Sequence, residues 1–231
     1  MRRIVASILD MLFPSSCLGC GREGSFLCDS CLRTIPVNEV QACPVCKNPS
    51  PRGKTHDGEC ADQTPLSGLI VAAKYTGNPL LDKAITQVKY RYSRELSEQL
   101  GRLLREAVEK NGGVHEGMMI VPVPLHPSRK RWRGFNQAEA LADEVGTALD
   151  APVVHLLERK KKTRQQAKLS RAERLENVKE AFVFSEIPAS IRARILLIDD
   201  VSSTLATLEE AAKVLHEAGF THITGAVLAR G

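Results

Sequence analysis

From Leu69 onward, short apolar runs alternate with stretches whose apolar residues recur at helical spacing. Leu69-Ile-Val-Ala-Ala-Lys-Tyr75 reads as a strand, and Thr76-Gly-Asn-Pro79 as a turn with Pro79 suited to a helix start. Leu80, Leu81, Ile85 and Val88 share one helix face, and Lys89-Tyr-Arg-Tyr92 closes that helix. Leu96, Leu100, Leu103 and Leu104 form the core face of the next, which Asn111-Gly-Gly113 ends. Met118-Met-Ile-Val-Pro-Val-Pro124 is a strand whose prolines limit pairing at its end and fix an extended exit. A loop then leads to a helix from Asn136 and Gln137 to about Leu149, and Pro152 to Leu157 reads as a short strand. Ile195 to Ile198 has the composition of a buried parallel strand. A helix follows from about Leu205 to Ala218 with Gly219 as its cap, and His222 to Leu228 is the last strand. The alternation predicts an α/β domain with a parallel sheet flanked by helices, joined by right-handed crossovers.

Before Leu69 that periodicity is missing, and cysteine takes its place. All seven cysteines fall between positions 17 and 60. An odd count arranged in CxxC pairs, with none in the larger remainder, is no secreted disulfide framework. Cys17-Leu-Gly-Cys20 and Cys28-Asp-Ser-Cys31 are two knuckles able to surround one tetrahedral zinc ion. Cys43-Pro-Val-Cys46 opens a second set, completed by Cys60 and by either His56 or Asp57. The arrangement resembles a double zinc ribbon, in which Asp57 stands at a cysteine position. His56 is preferred, since imidazole is the commoner partner of thiolates. One or two Zn²⁺ ions would then be structural, since a stretch of roughly 45 residues hardly folds on its own core. Three segments result: an amphipathic helix over 1–16, a ribbon module over 17–64 and the α/β domain over 65–231.

Composition narrows the picture only a little. The chain has 231 residues, 43% hydrophobic and 26% charged, enough for a core and too ordered in character for extended disorder. A net charge of +5 suits anionic ligands without choosing between sugar phosphates and nucleic acid. No run of 18 or more apolar residues exists, so no spanning helix and no stable membrane insertion are expected. Asp10 interrupts the apolar stretch after Met1-Arg-Arg, which argues against a secretory signal.

The chemistry concentrates in two places. Asp199 and Asp200 stand where the Ile195–Ile198 strand ends, and Ser202, Ser203, Thr204 and Thr207 follow before a helix. Ligands of open α/β sheets lie beyond the strands' carboxyl ends, and hydroxyls with helix-start N–H groups suit phosphate. Paired acids beside such a cradle suit a sugar with adjacent hydroxyls, or a metal. The second place is the basic loop with Arg129, Arg131 and Arg133, whose forked donors match phosphate oxygens. Arg159-Lys-Lys-Lys-Thr-Arg-Gln-Gln166 is a third basic run, read as solvated and mobile.

The stretch from Asp199 to Thr207 resembles the phosphoribosyl pyrophosphate (PRPP) signature of type I phosphoribosyltransferases, commonly Asp-Asp-Val-x-Thr-Thr-Gly-x-Thr. Val121-Pro-Val-Pro124 with Arg133-Gly-Phe-Asn-Gln137 closely resembles the ComF family, also called GntX-like or amidophosphoribosyltransferase-like proteins. The resemblance covers nearly the whole length, and the segment from Arg159 to Phe182 corresponds in it to a flexible lid. It implies a cytoplasmic bacterial protein with a zinc ribbon joined to a phosphoribosyltransferase-like domain; some members are linked to natural transformation. On that footing Asp199 and Asp200 hold ribose hydroxyls. The loop Ser202 to Thr207, Leu205 and Ala206 included, binds the 5′-phosphate. Arg129, Arg131 and Arg133 take pyrophosphate bridged by Mg²⁺, Lys89 adds a phosphate contact, and Asn136 with Gln137 orients the loop. Leu205 stands where the family usually has glycine, so it is expected to narrow or reshape the cradle and to weigh against turnover. The alternative is a non-catalytic module for single-stranded DNA, working with competence proteins such as a helicase, with Trp132 and Phe135 as its stacking residues.

Overall fold

The computed structural model describes residues 15–75, 77–91, 93–112, 117–163, 170–185 and 194–230, without the side chains of 89–91, 171 and 172. The helix expected over 1–16 falls almost wholly outside them, as do Thr76, Gly113 and the middle of the expected lid. In chain order the elements are α1 (Asp29–Leu32), β1 (Gly68–Lys74), α2 (Pro79–Arg91), α3 (Arg94–Lys110), β2 (Met118–Pro122), α4 (Pro127–Arg133) and α5 (Gln137–Leu149). Then come β3 (Leu157–Arg159), α6 (Arg171–Val178), β4 (Phe182–Phe184), β5 (Arg194–Ser202), α7 (Ala206–Glu217) and β6 (Ile223–Arg230). Short 3-10 turns, Pro51–Gly53 and Gly58–Gln63, lie in the ribbon module.

Strands β1, β6, β5 and β2 form one sheet in that order, every pair parallel. Alternation along β5 explains why it sits between two helical layers. Leu196 and Ile198 enter a buried cluster with Leu100 and Leu104 of α3 and Leu141 and Val145 of α5. Ile195 and Leu197 enter another with Leu208, Ala211 and Leu215 of α7. A strand buried on both faces reads as a continuous apolar run, the signal seen in the sequence. Four particulars differ from the reading of the chain. Strand β5 continues through Asp199 and Asp200 to Ser202, because Asp199 pairs with Val227 and Ser202 with Arg230. The 152–157 strand reduces to a single bridge between Val153 and Ile120. The chain then pairs elsewhere, as β3 antiparallel to β4. The arginine-bearing loop contains a helix, α4, started by Pro127 and the His126 cap, whose ring accepts from the Ser128 N–H at 3.2 Å.

The ribbon module is not an appendage. Leu27, Leu32 and Ile35 are buried in the same cluster as Leu81, Leu100 and Ile198. Arg102 meets Asp29 at 2.5 Å, and Lys83 donates to the Leu18 carbonyl at 3.0 Å. Along the outer side of β1 the module supplies strand-like partners. The Gln41 side chain accepts from the Val71 N–H at 2.9 Å and donates to its carbonyl at 3.1 Å, while the Asn38 N–H donates to Ala72. Gly53 permits this approach: a Cβ on it would lie 1.9 Å from the Leu69 carbonyl oxygen, and its φ is +68°. Among the described residues no helix is long and apolar enough to cross a membrane.

Candidate functional site

Two elements follow the carboxyl ends of the adjacent parallel strands β5 and β2: the loop after the tip of β5, and helix α4. The half-buried carboxylates of Asp199 and Asp200 each accept the next residue's N–H, at 2.9 Å and 2.6 Å. Ser202 then ties the loop down, its hydroxyl accepting from the Leu205 N–H at 3.0 Å, and Thr204 accepts from Ala206 at 3.4 Å. Leu205 has φ +63° and ψ −3°, a left-handed conformation that glycine would take without strain. Its side chain is 2% exposed and packs in the cluster with Leu208 and Val121. The narrowing expected of Leu205 therefore does not follow, since the side chain is buried in the core and the backbone keeps the glycine-like bend. Ser203 receives a hydrogen bond from the Arg174 guanidinium of α6. Ala206 is buried and Thr207 half-buried in the first turn of α7.

On α4, Arg129 and Arg133 are four residues apart and share one half-buried side, while Arg131 is exposed on another. Arg133 donates to Gln137 at 3.1 Å. Buried Asn136 donates to the Val123 carbonyl at 2.9 Å and caps α5 through the Ala138 N–H at 3.2 Å, tying the end of α4 to the chain after β2. Arg129 donates to the carbonyl of Thr163 at 2.6 Å, and Arg159 donates to the hydroxyl of the same residue at 2.8 Å. Burial first, then the neighbouring Arg133 charge, hold Arg129 below its ordinary pKa. Burial first, then Arg129, bring Arg159 down to about 10, and the Asp199 carboxylate acts in the opposite direction. Arg159 thus lies within electrostatic reach of both Asp199 and Arg129 of α4. Arg131 does not join them, and the Lys89 side chain lies outside the described residues. Phe135 is only 8% exposed and cannot stack on a base, which corrects that expectation; Trp132 is 65% exposed.

Sequence reading missed Arg159, Thr163 and the contact from Arg174. Arg159 heads a basic run whose composition reads as solvated. The signal that could have found it is period two: along β3, Leu157 and Arg159 are buried and Glu158 is exposed.

The cysteines gather as two quartets, Cys17/Cys20/Cys28/Cys31 and Cys43/Cys46/His56/Cys60, the ligand atoms of each within 4.8 Å of one another. Zinc–sulfur bonds of about 2.3 Å give a tetrahedral edge of about 3.8 Å. The sulfurs of Cys20 and Cys28 are 3.7 Å apart, and Cys46 Sγ lies 3.2 Å from His56 Nδ1. Donor chemistry and spacing fit structural zinc. Asp57 is not in the second quartet; its carboxylate lies 3.3 Å from Lys54 and is 90% exposed. The first knuckle of each quartet turns through a left-handed residue after its second cysteine, Gly21 in one and Lys47 in the other. Burial would raise the Cys17 thiol, but N–H groups of Cys20, Cys28 and Gly19 outweigh it and bring it to about 6. Cys31, crowded first by the Cys28 thiol and then by burial, is pushed up to about 12. Four thiolates at this range need a cation between them.

A double zinc ribbon family model matches residues 8–64. The chain is 32% identical over 212 residues to competence protein F of Haemophilus influenzae, covering 88% of this chain and 90% of that protein. It is 30% identical over 207 residues to competence protein ComFC of Streptococcus pneumoniae, covering 89% and 88%. To competence protein ComFC of Bacillus subtilis it is 29% identical over 199 residues, covering 84% and 79%.

Proposed function

The chain belongs to the ComF family of competence proteins, and from that we propose that it serves DNA uptake in the cytoplasm as a binder of PRPP or a related phosphorylated sugar. The observation that carries this reading is the shared neighbourhood of Asp199 with Arg159 and Arg129 at the carboxyl edge of the sheet. Carboxylates there suit ribose hydroxyls; the loop from Ser202 to Thr207 suits a 5′-phosphate through hydroxyls and N–H groups. Arg129 and Arg133 offer forked donors to a diphosphate. Paired half-buried carboxylates are also donors for a hard cation, and bound Mg²⁺ would neutralise diphosphate charge. Transfer would break the bond between ribose C1 and the diphosphate oxygen, which leaves with the electron pair, while C1 bonds to a nucleophilic acceptor atom; the arginines stabilise charge on the leaving oxygen. Leu205, with its side chain buried, is no steric obstacle to such a ligand.

Calorimetric titration with PRPP and Mg²⁺ tests the site. The wild type is expected to give a saturable heat and the Asp199→Asn/Asp200→Asn variant none. Equal heats from both would dispose of the assignment.

The exposure of Trp132 beside Arg131 supports a second role, contact with single-stranded DNA on the outer side of α4. Affinity for an oligothymidylate, followed by fluorescence anisotropy, is then expected to fall with salt and with Arg131→Ala/Trp132→Ala. Binding indifferent to both would remove this role and leave the sugar-phosphate site untouched.

A further inference from the structure

Arg159 poses a problem that the reading of the site does not yet solve. Its side chain is buried with the residue 6% exposed, its guanidinium lies 5.2 Å from the centre of the Phe182 ring, and one of its nitrogens is held by Thr163. Burying a charge in this way is costly unless something compensates it. Thr163 binds Arg129 through its carbonyl and Arg159 through its hydroxyl, so two guanidiniums converge on a single residue. Arg133 adds a third positive charge next to Arg129, and the carboxylate that acts on Arg159 is Asp199. Two buried donors, Arg159 Nε and Gln137 Nε2, meet no acceptor among the described residues. Gln137 is only 2% exposed. A surplus of cations with unused donors is a seat for a group that carries more than one negative charge.

The same excursion of the chain reaches the other end of the site. After β3 it forms α6, whose start is fixed by a capping box between Ser170 and Glu173. The next residue, Arg174, donates to Ser203 in the hydroxyl loop. The stretch from the end of β3 to β4 thus sends one arginine to Thr163, beside Arg129, and another to Ser203.

We propose that Arg159 and Arg174 are the specificity residues of the site: Arg159 seats a diphosphate beside Arg129, and Arg174 closes on a monophosphate beside Ser203. The ligand class this selects is a pentose with a diphosphate at one end and a monophosphate at the other; the assignment rests on the PRPP reading above. Neither arginine carries out bond breaking; both discriminate by charge at opposite ends.

The test is calorimetry on the full zinc-loaded chain with PRPP, pyrophosphate and ribose 5-phosphate, each with Mg²⁺. Arg159→Met is expected to weaken PRPP and pyrophosphate at least about tenfold and to leave ribose 5-phosphate within about twofold. Arg174→Met should reverse the pattern, weakening PRPP and ribose 5-phosphate and sparing pyrophosphate. Ligand-free Arg159→Met should unfold at no lower urea concentration than the wild type, an outcome that a purely structural arginine would not give. If Arg159→Met does not fold, Arg159 is structural on that criterion; Thr163→Val, which keeps both arginines, then decides whether the diphosphate seat exists by weakening PRPP and pyrophosphate and sparing ribose 5-phosphate. Variants that lose all ligands equally, or none, overturn the proposal while wild-type binding of PRPP keeps the functional reading. A wild type that binds none of the three overturns the reading itself.

Discussion

Leu205 shows how one residue can satisfy the backbone and the core by different atoms. Its left-handed φ costs about 1 kcal/mol relative to glycine, and burial of its side chain among Leu208 and Val121 offsets that. Leu205→Gly is therefore expected to destabilise the fold by about 1–3 kcal/mol, lost core burial outweighing relieved strain, as read by the urea midpoint. On the proposed sugar-phosphate reading, binding of PRPP should stay unchanged, since the loop keeps its bend. A residue that broke the expected signature was legible in the sequence as a departure, yet its direction was not. Side-chain orientation depends on φ, and φ is not written in residue type alone. Asp199 and Asp200 were legible because adjacent acids after an apolar run are chemically distinctive. Arg159 was hidden because three lysines follow it, and composition averages over neighbours that strand geometry separates.

At the scale of elements, α4 divides its arginines by helical period, so Arg129 and Arg133 face the site and Arg131 faces away. No such division exists in the loop that the sequence suggested; the Pro127 start and the Gly134 stop, φ +81°, were its overlooked signals. The zinc knuckles were more legible, because CxxC spacing alone brings two sulfurs to one point. The fourth donor of the second quartet was an open choice between neighbours, and the fold settles it by turning His56 inward and Asp57 to Lys54. Metal analysis should give two zinc ions per chain. His56→Ala should lower the content towards one, and Asp57→Ala should leave it at two.

For the molecule as a whole, the ribbon module and the sheet share a hydrophobic cluster, so the boundary near residue 64 is a change of composition more than a physical division. Gly53 is one point of close approach between the two. Gly53→Ala puts a methyl group against the Leu69 carbonyl and should destabilise by at least about 2 kcal/mol, seen as a lower melting temperature at full zinc occupancy. Retention of the wild-type melting temperature would mean that the module can shift aside at little cost. Long-range docking of this kind leaves only a glycine as its trace in a sequence, and glycine has many other uses.

The Gln41 and Asn38 contacts along β1 have a consequence for handling the metal-free chain. With the ions removed by a chelator, that flank of the sheet is left with amide groups seeking partners, and another copy of the chain offers them. Light scattering after chelation should rise with protein concentration, and prompt return of zinc should suppress it. Zinc would then govern solubility as well as shape, acting as a guard against self-association.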